Sequence, residues 1–366
     1  MSFNNLYRGK KVIITGNTGF KGSWLSTWLL QLGADVYGIS KDITTQPAMF
    51  EVLGLEQQIQ HHFADIRDGA VLNQLFQKIK PDFVFHLAAQ AIVSTSYANP
   101  IETFSTNVLG TANVLEAFRH LDHPCIAVLI TSDKAYDNVE WIWGYRENDR
   151  LGGKDIYSGS KGAAELVIKS YYHSFLADSA HLKIGIGRAG NVIGGGDWAA
   201  NRIVVDCMKA WSNNEFVELR SPKATRPWQH VLEPLSGYLR LGQALYEDNN
   251  LHGEAFNFGP RAEVNQTVYD LTCDLARAWG YSDVNQAVRI TGDIPFHEAG
   301  LLKLNCDKAL AYLKWQAALS YGPMIEFIAD WYVGFYKNSA DMLKLTIEQI
   351  DAYQHAASLQ GIEWAK

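Results

Sequence analysis

The chain lacks the features that mark several classes of protein. It has four cysteines in 366 residues, without CxxC spacing, and its 11 histidines form no HxH or HExxH pattern. These absences argue against a disulfide framework and predict that there is no metal site. We interpret the cysteines as free thiols in a reducing compartment: Cys125, Cys207, Cys273 and Cys306.

Clusters of one charge and long apolar runs are also missing. No Lys/Arg run forms a phosphate-tracking stripe, and the formal net charge of −7 disfavours nucleic acid as a partner. No apolar run approaches the roughly 20 residues that span a bilayer. The N-terminal stretch "MSFNNLYRGKKVIITG" contains no signal-peptide core. We therefore expect a cytoplasmic protein that binds neither nucleic acid nor membrane.

What the chain does have is an alternation of short β-branched runs with segments of helical spacing. The helical segments lie near 20–32, 69–79 and 100–120. Such alternation implies right-handed βαβ crossovers. We predict an α/β fold, a Rossmann-type doubly wound parallel sheet, with strands at 11–15, 34–39, 59–65, 82–88, 126–131, 181–190 and 254–260.

The second half predicts a smaller lobe that is interleaved with this sheet. Helices are expected near 231–247, 267–279 and 320–353, between glycine- and proline-containing loops. We assign residues 1–190 to a dinucleotide-binding Rossmann domain, to which strands within 230–262 return. Residues 191–366 mainly form the C-terminal substrate-binding lobe.

A glycine-rich turn follows the first predicted strand. "TGNTGFKG" places Gly16, Gly19 and Gly22 directly ahead of a helix that begins at about Phe20. Glycines at these positions permit a tight turn, close approach of the backbone to a pyrophosphate, and tight packing of helix on strand. The free N–H groups of the helix then face the anion. The pattern predicts a dinucleotide site, with a plain turn as the alternative.

The residues that would read the cofactor's ribose depart from the simple pattern. An acidic residue is expected about 20 positions after the glycines, but Ser40 stands there, followed by Lys41 and Asp42. We expect NAD as the cofactor. Because a Ser-Lys pair could accept a 2′-phosphate, NADP stays open. Asp65 either contacts the adenine side or serves as a surface carboxylate or helix cap.

A tyrosine and a lysine lie one helical turn apart in "YSGSK". Tyr157 and Lys161 share a helix face at i and i+4. We expect the ammonium, with a positively charged nicotinamide, to lower the pKa of the phenol. Such a phenol can take or return a proton while a hydride moves to or from the cofactor. The alternative is a solvent-exposed pair.

The stretch "TSDKAYDN" (131–138) follows the purely apolar run 126–130, which predicts a buried strand. It therefore places Asp133 and Lys134 side by side at the carboxyl end of that strand. One reading is a pair of groups that performs acid–base chemistry. The other is an exposed ion pair on a loop, which contributes little.

With these motifs the chain resembles the extended short-chain dehydrogenase/reductase family, and within it the nucleotide-sugar 4,6-dehydratases. The resemblance runs essentially end to end through "GFKGSWL", "HLAAQ", "TSDKAYDN", "WIWGYREND", "RAGNVIGGGDWA", "RPWQHVLEPLSGYL" and "FNFGP". The dTDP-glucose enzymes of the family carry Asp-Glu where this chain has Asp133-Lys134, and a more charged stretch in place of "QAIVSTS" (90–96). Both differences indicate the branch that uses CDP-sugars, with CDP-glucose as the expected substrate.

This resemblance implies a hydro-lyase of deoxysugar and O-antigen biosynthesis. The sugar is oxidised at C4, water is eliminated across C5 and C6, and the stored hydride returns to C6. Asp133 would be the acid for the C6 oxygen, if burial keeps it protonated. Lys134 would be the base at C5 or would steady the enolate. Ser132, or less favourably Thr131, would hydrogen-bond the C4 oxygen.

The resemblance also implies the binding residues. Asn191 and Arg226 would hold the substrate diphosphate, with Arg202 as a further candidate; the alternative for Arg226 is a surface salt bridge. The aromatic stretch "EWIWGY" (140–145) is either a wall of the sugar pocket or ordinary core, and His297 and Glu298 either reach the nucleotide or have a loop role. The cofactor contacts would be Gly16, Thr18, Gly19, Phe20, Gly22, Ser40, Asp65, Ile66, Ala88, Gln90, Asn107, Tyr157 and Lys161.

A homodimer or a dimer of dimers is expected. The helix that includes 163–176 carries a broad apolar stripe, and family members pair this helix with the one near 100–120 across a two-fold axis. The stripe consists of Ala163, Leu166, Val167, Tyr171 and Phe175.

Two other functions stay open: a nucleotide-sugar 4-epimerase or reductase, and a cofactor-binding scaffold without chemistry.

Overall fold

The centre of the molecule is a seven-stranded parallel sheet. The computed structural model describes residues 2–261, 266–291 and 302–366. The strand order across the sheet is β11-β6-β5-β4-β1-β2-β3. The strands are β1 Lys11–Thr15, β2 Asp35–Ser40, β3 Gln60–Phe63, β4 Phe83–His86, β5 Cys125–Ile130, β6 Leu182–Ala189 and β11 Ala255–Phe258. The predicted fold class and all seven predicted strands are confirmed.

The helices cover both faces of the sheet, which is why its central strands are nearly continuous apolar runs. The π-helical turn Ser105–Leu109 joins α5 to α6. In chain order the helices of the first half are α1 Phe20–Gln31, α2 Met49–Val52, α3 Gly69–Ile79, α4 Val93–Ala98, α5 Pro100–Phe104, α6 Gly110–Arg119 and α7 Ile156–Tyr171. Those of the second half are α8 Ile203–Ser212, α9 Leu232–Glu247, α10 Val268–Trp279, α11 Tyr321–Tyr336 and α12 Met342–Leu359.

The segment predicted as helical over 320–353 is two helices rather than one. α11 ends at Tyr336, and the carboxylate of Asp341 accepts a hydrogen bond from the backbone N–H of Lys344 to begin α12. An Asp at this N-cap position satisfies one of the free N–H groups of the new helix. The break coincides with the polar segment 337–341, which interrupts the apolar pattern of the two helices.

Short ribbons outside the main sheet build the region that follows β6. β7 pairs with β10 and β8 with β13, both in parallel, while β9 pairs with β12 in antiparallel fashion. Their bounds are β7 Val192–Ile193, β8 Val217–Leu219, β9 Thr225–Arg226, β10 Gln229–His230, β12 Gln266–Thr267 and β13 Val288–Ile290. β11 comes after most of these ribbons and returns to the edge of the main sheet. The division near residue 190 stays a prediction.

The strand order reverses between β1 and β4, which pair directly with each other. The chain builds one half of the sheet outward through β2 and β3, and then the other half through β5, β6 and β11. Ligands of doubly wound sheets bind outside the carboxyl ends of the strands at such a reversal. The glycine turn after β1 and the motif after β5 both lie at this edge.

Two structural expectations from composition can be compared with the described residues. All four cysteines are free thiols, as predicted. Within 2–261, 266–291 and 302–366, no helix combines the length and the apolarity needed to cross a bilayer.

Candidate active site

The glycine turn is shaped by close backbone contacts that only glycine allows. Gly16 has φ +79°, and a Cβ there would lie 2.8 Å from the backbone N of Ala88. A Cβ on Gly22 would collide with the carbonyl oxygen of Gly16. No side chain caps α1 at Gly19, so its first N–H groups remain available to a ligand. The turn has the form expected of a pyrophosphate cradle.

The predicted ribose reader, Ser40, is held by a residue that sequence reasoning missed. Its hydroxyl donates to Oδ1 of Asn17 at 2.8 Å and accepts from the backbone N of Thr18 at 3.3 Å. The neighbouring Lys41 faces two carboxylates, Asp42 at 3.8 Å and Glu102 at 3.3 Å. The cation that could have bound a 2′-phosphate is therefore already in a negatively charged setting.

The other predicted cofactor residues line the same edge of the sheet. The carboxylate of Asp65 takes a fork of hydrogen bonds from Arg67, which lowers the pKa of Asp65. Ile66 is buried against Gly110 of α6. The side chain of Asn107 accepts from the backbone N of Gln90 at 2.8 Å and donates to Ser160 on α7 at 2.8 Å. Asn107 thus joins the loop after β4 to the helix that carries Tyr157.

The residues of "TSDKAYDN" form a tight turn directly after β5. Ser132, at the N-cap of a short 3₁₀ turn, accepts from the backbone N of Lys134 and donates to Oδ1 of Asp133 at 2.9 Å. Asp133 is 4% exposed, whereas Lys134 is half-buried. Thr131 donates its hydroxyl to Glu165 at 2.6 Å. Ser132, not Thr131, is therefore the hydroxyl available to the site.

Tyr157 and Lys161 lie on the first turns of α7, both almost fully buried. Burial raises the pKa of Tyr157 to about 12, against the opposing effect of its hydrogen bond to Ser132. Burial lowers the pKa of Lys161 to about 8, against the attraction of Glu165. Among the protein's own groups, desolvation therefore has the largest effect on the pKa of Tyr157 and raises it, while the lowering expected from Lys161 together with a positively charged nicotinamide stays a prediction.

Charged residues that were not predicted from the sequence also lie at the site of Tyr157 and Lys161. The ammonium of Lys21, on α1, is near Arg202, Lys161 and Asp133, and burial lowers its pKa to about 8. Arg202 donates to the buried carboxylate of Asp197 at 2.5 Å. The only sequence indication of these roles was that Lys21 and Asp197 fall inside the motifs "GFKG" and "GGGDWA". The result is a cluster with an excess of positive charge.

The three predicted diphosphate residues follow β6 in the chain. A side chain on Gly190 would collide with Asp133, which places the neighbouring Asn191 close to the turn after β5. Arg202 lies close enough to Tyr157 to lower its pKa. Arg226 lies on β9 and donates to the carbonyl oxygen of Thr225. Asn191 thus lies near Asp133 and Arg202 near Tyr157, while Arg226 lies three residues before Gln229, whose backbone N donates to the carbonyl oxygen of Asn191.

The aromatic stretch 140–145 is not ordinary core. Trp141, Ile142 and Trp143 are 36%, 73% and 66% exposed, and only Tyr145 is buried, stacked on Tyr136. The alternative of a pocket wall stays a prediction. His297 and Glu298 lie outside the described residues.

One cavity of the described residues lies close to β9. A cavity of about 380 Å³ lies between α10, β8 and β13, lined by Phe216, Tyr269, Val284, Asn285, Val288, Arg289 and Ile290. Tyr269 of this cavity bonds through its backbone N to Pro222, in the loop that leads to β9. Within the part of the chain that the structure describes, no group of His, Cys, Asp and Glu could hold a metal ion.

Comparisons with known proteins identify the family of the chain. Residues 13–327 match the model of the GDP-mannose 4,6 dehydratase family. The chain belongs to this family. Its membership confirms the predicted resemblance to the nucleotide-sugar 4,6-dehydratases, and this family member is an enzyme of the 4,6-dehydratase type.

Curated relatives place the chain within the family. The CDP-glucose 4,6-dehydratase of Salmonella typhimurium is 44% identical over 358 residues, which cover 97% of this chain and 99% of the relative. The CDP-paratose 2-epimerase of Salmonella typhi is 29% identical, over 68% of this chain and 78% of the relative.

Solved structures confirm the fold. The dTDP-glucose 4,6-dehydratase DesIV of Streptomyces venezuelae, with NAD and TYD bound, has a TM-score of 0.76 at 20% identity, covering 91% of this chain and 99% of DesIV. The UDP-glucose 4-epimerase of Thermotoga maritima, with UDP-glucose, has a TM-score of 0.75 at 21% identity, covering 89% and 100%. At these identities the likeness concerns the fold alone.

Proposed function

We propose that the chain is a CDP-glucose 4,6-dehydratase, a hydro-lyase that converts CDP-D-glucose to CDP-4-dehydro-6-deoxy-D-glucose and water. The observation that carries this proposal is the 44% identity to a CDP-glucose 4,6-dehydratase across 97% of the chain. The position of Asp133 and Lys134 beside Tyr157 adds to it, because hydride transfer alone would not need them. Deoxysugar and O-antigen biosynthesis in the cytoplasm is the corresponding cellular role.

The residues at the strand ends fit a dinucleotide, and NAD better than NADP. The glycine turn leaves space and free N–H groups for a pyrophosphate, and Lys161 is buried without a hydrogen bond within the described residues, ready for ribose hydroxyls. Lys41 lies between the carboxylates of Asp42 and Glu102, which would repel a 2′-phosphate. When bound, NAD would supply a hydride acceptor at C4 and a hydride donor at C6.

Tyr157 takes the proton of the C4 hydroxyl in this proposal. The pKa of Tyr157 is about 12 in the chain alone, which is too high for an efficient base at neutral pH. The surrounding positive charge must therefore lower it. Arg202 already lowers that pKa, and the hydroxyl of Ser132, once turned from Asp133 to the phenolate oxygen, would lower it further. The ketone that results makes the neighbouring C5–H acidic.

Asp133 and Lys134 then perform the elimination. Asp133 is buried and gives a proton to the departing C6 oxygen, while the half-buried Lys134 takes the proton from C5 or steadies the enolate. Their adjacency lets one side chain serve each side of a small sugar. The C6 oxygen leaves as water, the hydride returns to C6, and the group that took the C5 proton gives it back to C5.

The substrate diphosphate would lie against Asn191, Arg202 and Arg226. Arginine suits this task because its planar fork matches phosphate oxygens. The cavity of about 380 Å³ lined by Phe216 and Tyr269 lies near the ribbon of Arg226 and would accept the nucleobase. The aromatic residues there provide stacking surface.

Homodimer formation is part of the proposal. On α7 and the turn that follows it, Leu166 and Phe175 are 58% and 55% exposed, whereas Val167 and Tyr171 pack against the core. Ile101 and Leu109, on the helical segment 100–119, are 79% and 61% exposed. Two such helices from each copy would bury these side chains in a four-helix contact.

A side-by-side assay with CDP-, dTDP-, GDP- and UDP-glucose tests the activity. We expect CDP-glucose alone to give rapid formation of a 4-keto-6-deoxy sugar, detected by the absorbance that such sugars develop in alkali. Turnover of another nucleotide sugar instead would change the substrate. Inversion at C4 without loss of water would indicate a 4-epimerase, and cofactor binding with no turnover of any of the four would indicate a scaffold.

A further inference from the structure

A fully buried ion pair lies directly behind the elimination motif. Glu165 of α7 and Arg188 of β6 both have 0% exposed side chains. Arg188 donates from Nε to Oε1 of Glu165 at 2.6 Å and from Nη2 to Oε2. Replacing such a pair with apolar residues is often neutral for stability, so its presence is weak evidence of a stabilising role. The other contacts of the pair show what it holds.

Those contacts are at the two ends of the motif. The hydroxyl of Thr131 donates to Oε1 of Glu165 at 2.6 Å. Nη1 of Arg188 donates to the hydroxyl of Tyr136 at 2.7 Å, and the guanidinium lies 4.8 Å from the centre of that ring. The segment between these anchors is Ser132–Ala135, which contains both proposed elimination residues.

The pair also connects this segment to the redox residues. Glu165 lies one helical turn after Lys161 and two turns after Tyr157, on the same helix. The hydroxyl of Tyr136 donates in turn to Oδ1 of Asn257 on β11 at 2.7 Å. One buried network therefore links α7, the end of β5, β6 and the edge strand of the sheet.

We propose that Glu165 and Arg188 are positioning residues. They fix the position of Asp133 and Lys134 relative to Tyr157 and Lys161. The proposal rests on the proposed function and deepens it. One sugar must undergo oxidation at C4 and elimination at C5 and C6 without moving, so both sets of side chains must meet it in one geometry. A displacement of about 1 Å at a reacting group can cost about 10²-fold in rate.

Two mild substitutions test this role. Thr131→Val and Tyr136→Phe each remove one hydroxyl of the network and nearly preserve side-chain volume. We expect both variants to bind cofactor and to oxidise C4, but to lose water more slowly by up to about 10²-fold. Reduced cofactor and a 4-keto sugar that keeps its C6 hydroxyl would then accumulate in a single turnover. Arg188→Lys, which retains the charge but loses the fork, should do the same.

A matched control and a measurement without cofactor complete the test. Tyr7→Phe also removes one buried tyrosine hydroxyl, but that hydroxyl donates to the carbonyl oxygen of Leu239 and is not part of this network. It should leave the ratio of reduced cofactor to product unchanged. In the chain alone, amide hydrogen exchange over 132–136 should become severalfold faster in Thr131→Val and Tyr136→Phe, and not in Tyr7→Phe.

The outcomes separate the two proposals. If the unmodified chain does not dehydrate CDP-glucose, the proposed function is wrong. If it does, and Thr131→Val and Tyr136→Phe partition between reduced cofactor and product as it does, the positioning role is overturned. Variants that only melt at lower temperature, with normal partition, would show that the pair is structural.

Discussion

Replacement of Lys161 by methionine should make the folded chain more stable while it removes activity. The ammonium is 6% exposed, and burial lowers its pKa from 10.5 to about 8. One pKa unit corresponds to about 1.36 kcal/mol, so the buried charge costs about 3 kcal/mol of folding free energy at pH 7. Methionine has a similar length and carries no charge, and it relieves this cost.

The gain should depend on pH in a defined direction. The folded pKa of Lys161 is lower than its unfolded pKa, so between about pH 8 and 10.5 the unfolded chain binds more protons. Stability of the unmodified chain therefore rises with pH in this window, relative to the variant. The advantage of Lys161→Met should be complete below pH 8 and should shrink to about half near pH 9.5.

Equilibrium unfolding in urea at pH 7 and pH 9.5 measures this difference. Lys21 also has a pKa of about 8, lowered mainly by burial and in part by the charge of Lys161, so the variant relieves this repulsion too and the effect has the same sign. Lys169→Met is the matched control, because Lys169 is exposed on the same helix. Its effect should stay within about 0.5 kcal/mol. A loss of stability in Lys161→Met, or a gain that does not change with pH, would refute the reasoning.

Three further predictions concern the mechanism and the assembly. Tyr157→Phe should nearly abolish turnover and leave nucleotide binding intact, as measured by steady-state kinetics and calorimetry. Asp133→Asn and Lys134→Met should each slow water loss by ~10²-fold or more, so that reduced cofactor collects in a single turnover. Light scattering at micromolar concentration should give at least a dimer mass, and the double variant Leu166→Glu with Phe175→Glu should give a monomer.

Each of these has a contrary result. Near-normal activity of Tyr157→Phe would remove that residue from the redox step. If Asp133→Asn and Lys134→Met delay reduced cofactor as much as product, the pair acts in the oxidation and not in the elimination. A monomer mass for the unmodified chain would contradict the four-helix contact. Tyr246 is an exposed aromatic residue on α9, and Tyr246→Glu is the matched surface control, which should keep the dimer mass.

Much of this molecule was predictable because its information is local. The apolar runs that become β1, β4 and β5 are buried on both faces, so they stand out as continuous stretches without any knowledge of their neighbours. The glycine turn, the pair Tyr157 and Lys161, and the motif after β5 are each contained in a few consecutive residues. Their relative positions follow from strand order, since the carboxyl ends of parallel strands meet at one edge.

The rest was decided by packing between distant segments. Glu165, Arg188, Tyr136 and Asn257 form one network although up to 121 residues separate the members of a bonded pair, and no spacing in the chain indicates them. The same contacts turn Thr131 away from the site and leave Ser132 facing it. Local sequence specifies which groups are present, but hydrogen-bond partners depend on which elements the fold brings together.

The pKa values of the site also depend partly on local sequence and partly on the tertiary structure. The sequence by itself determined that a phenol and an ammonium would share a helix face, and it suggested a lowered tyrosine pKa. Only the tertiary structure determined that Tyr157 is almost completely removed from water, which raises that pKa, and that Lys21 and Arg202 add their charge from other elements. Desolvation depends on every atom that covers a group, and those atoms come from segments far away in the chain.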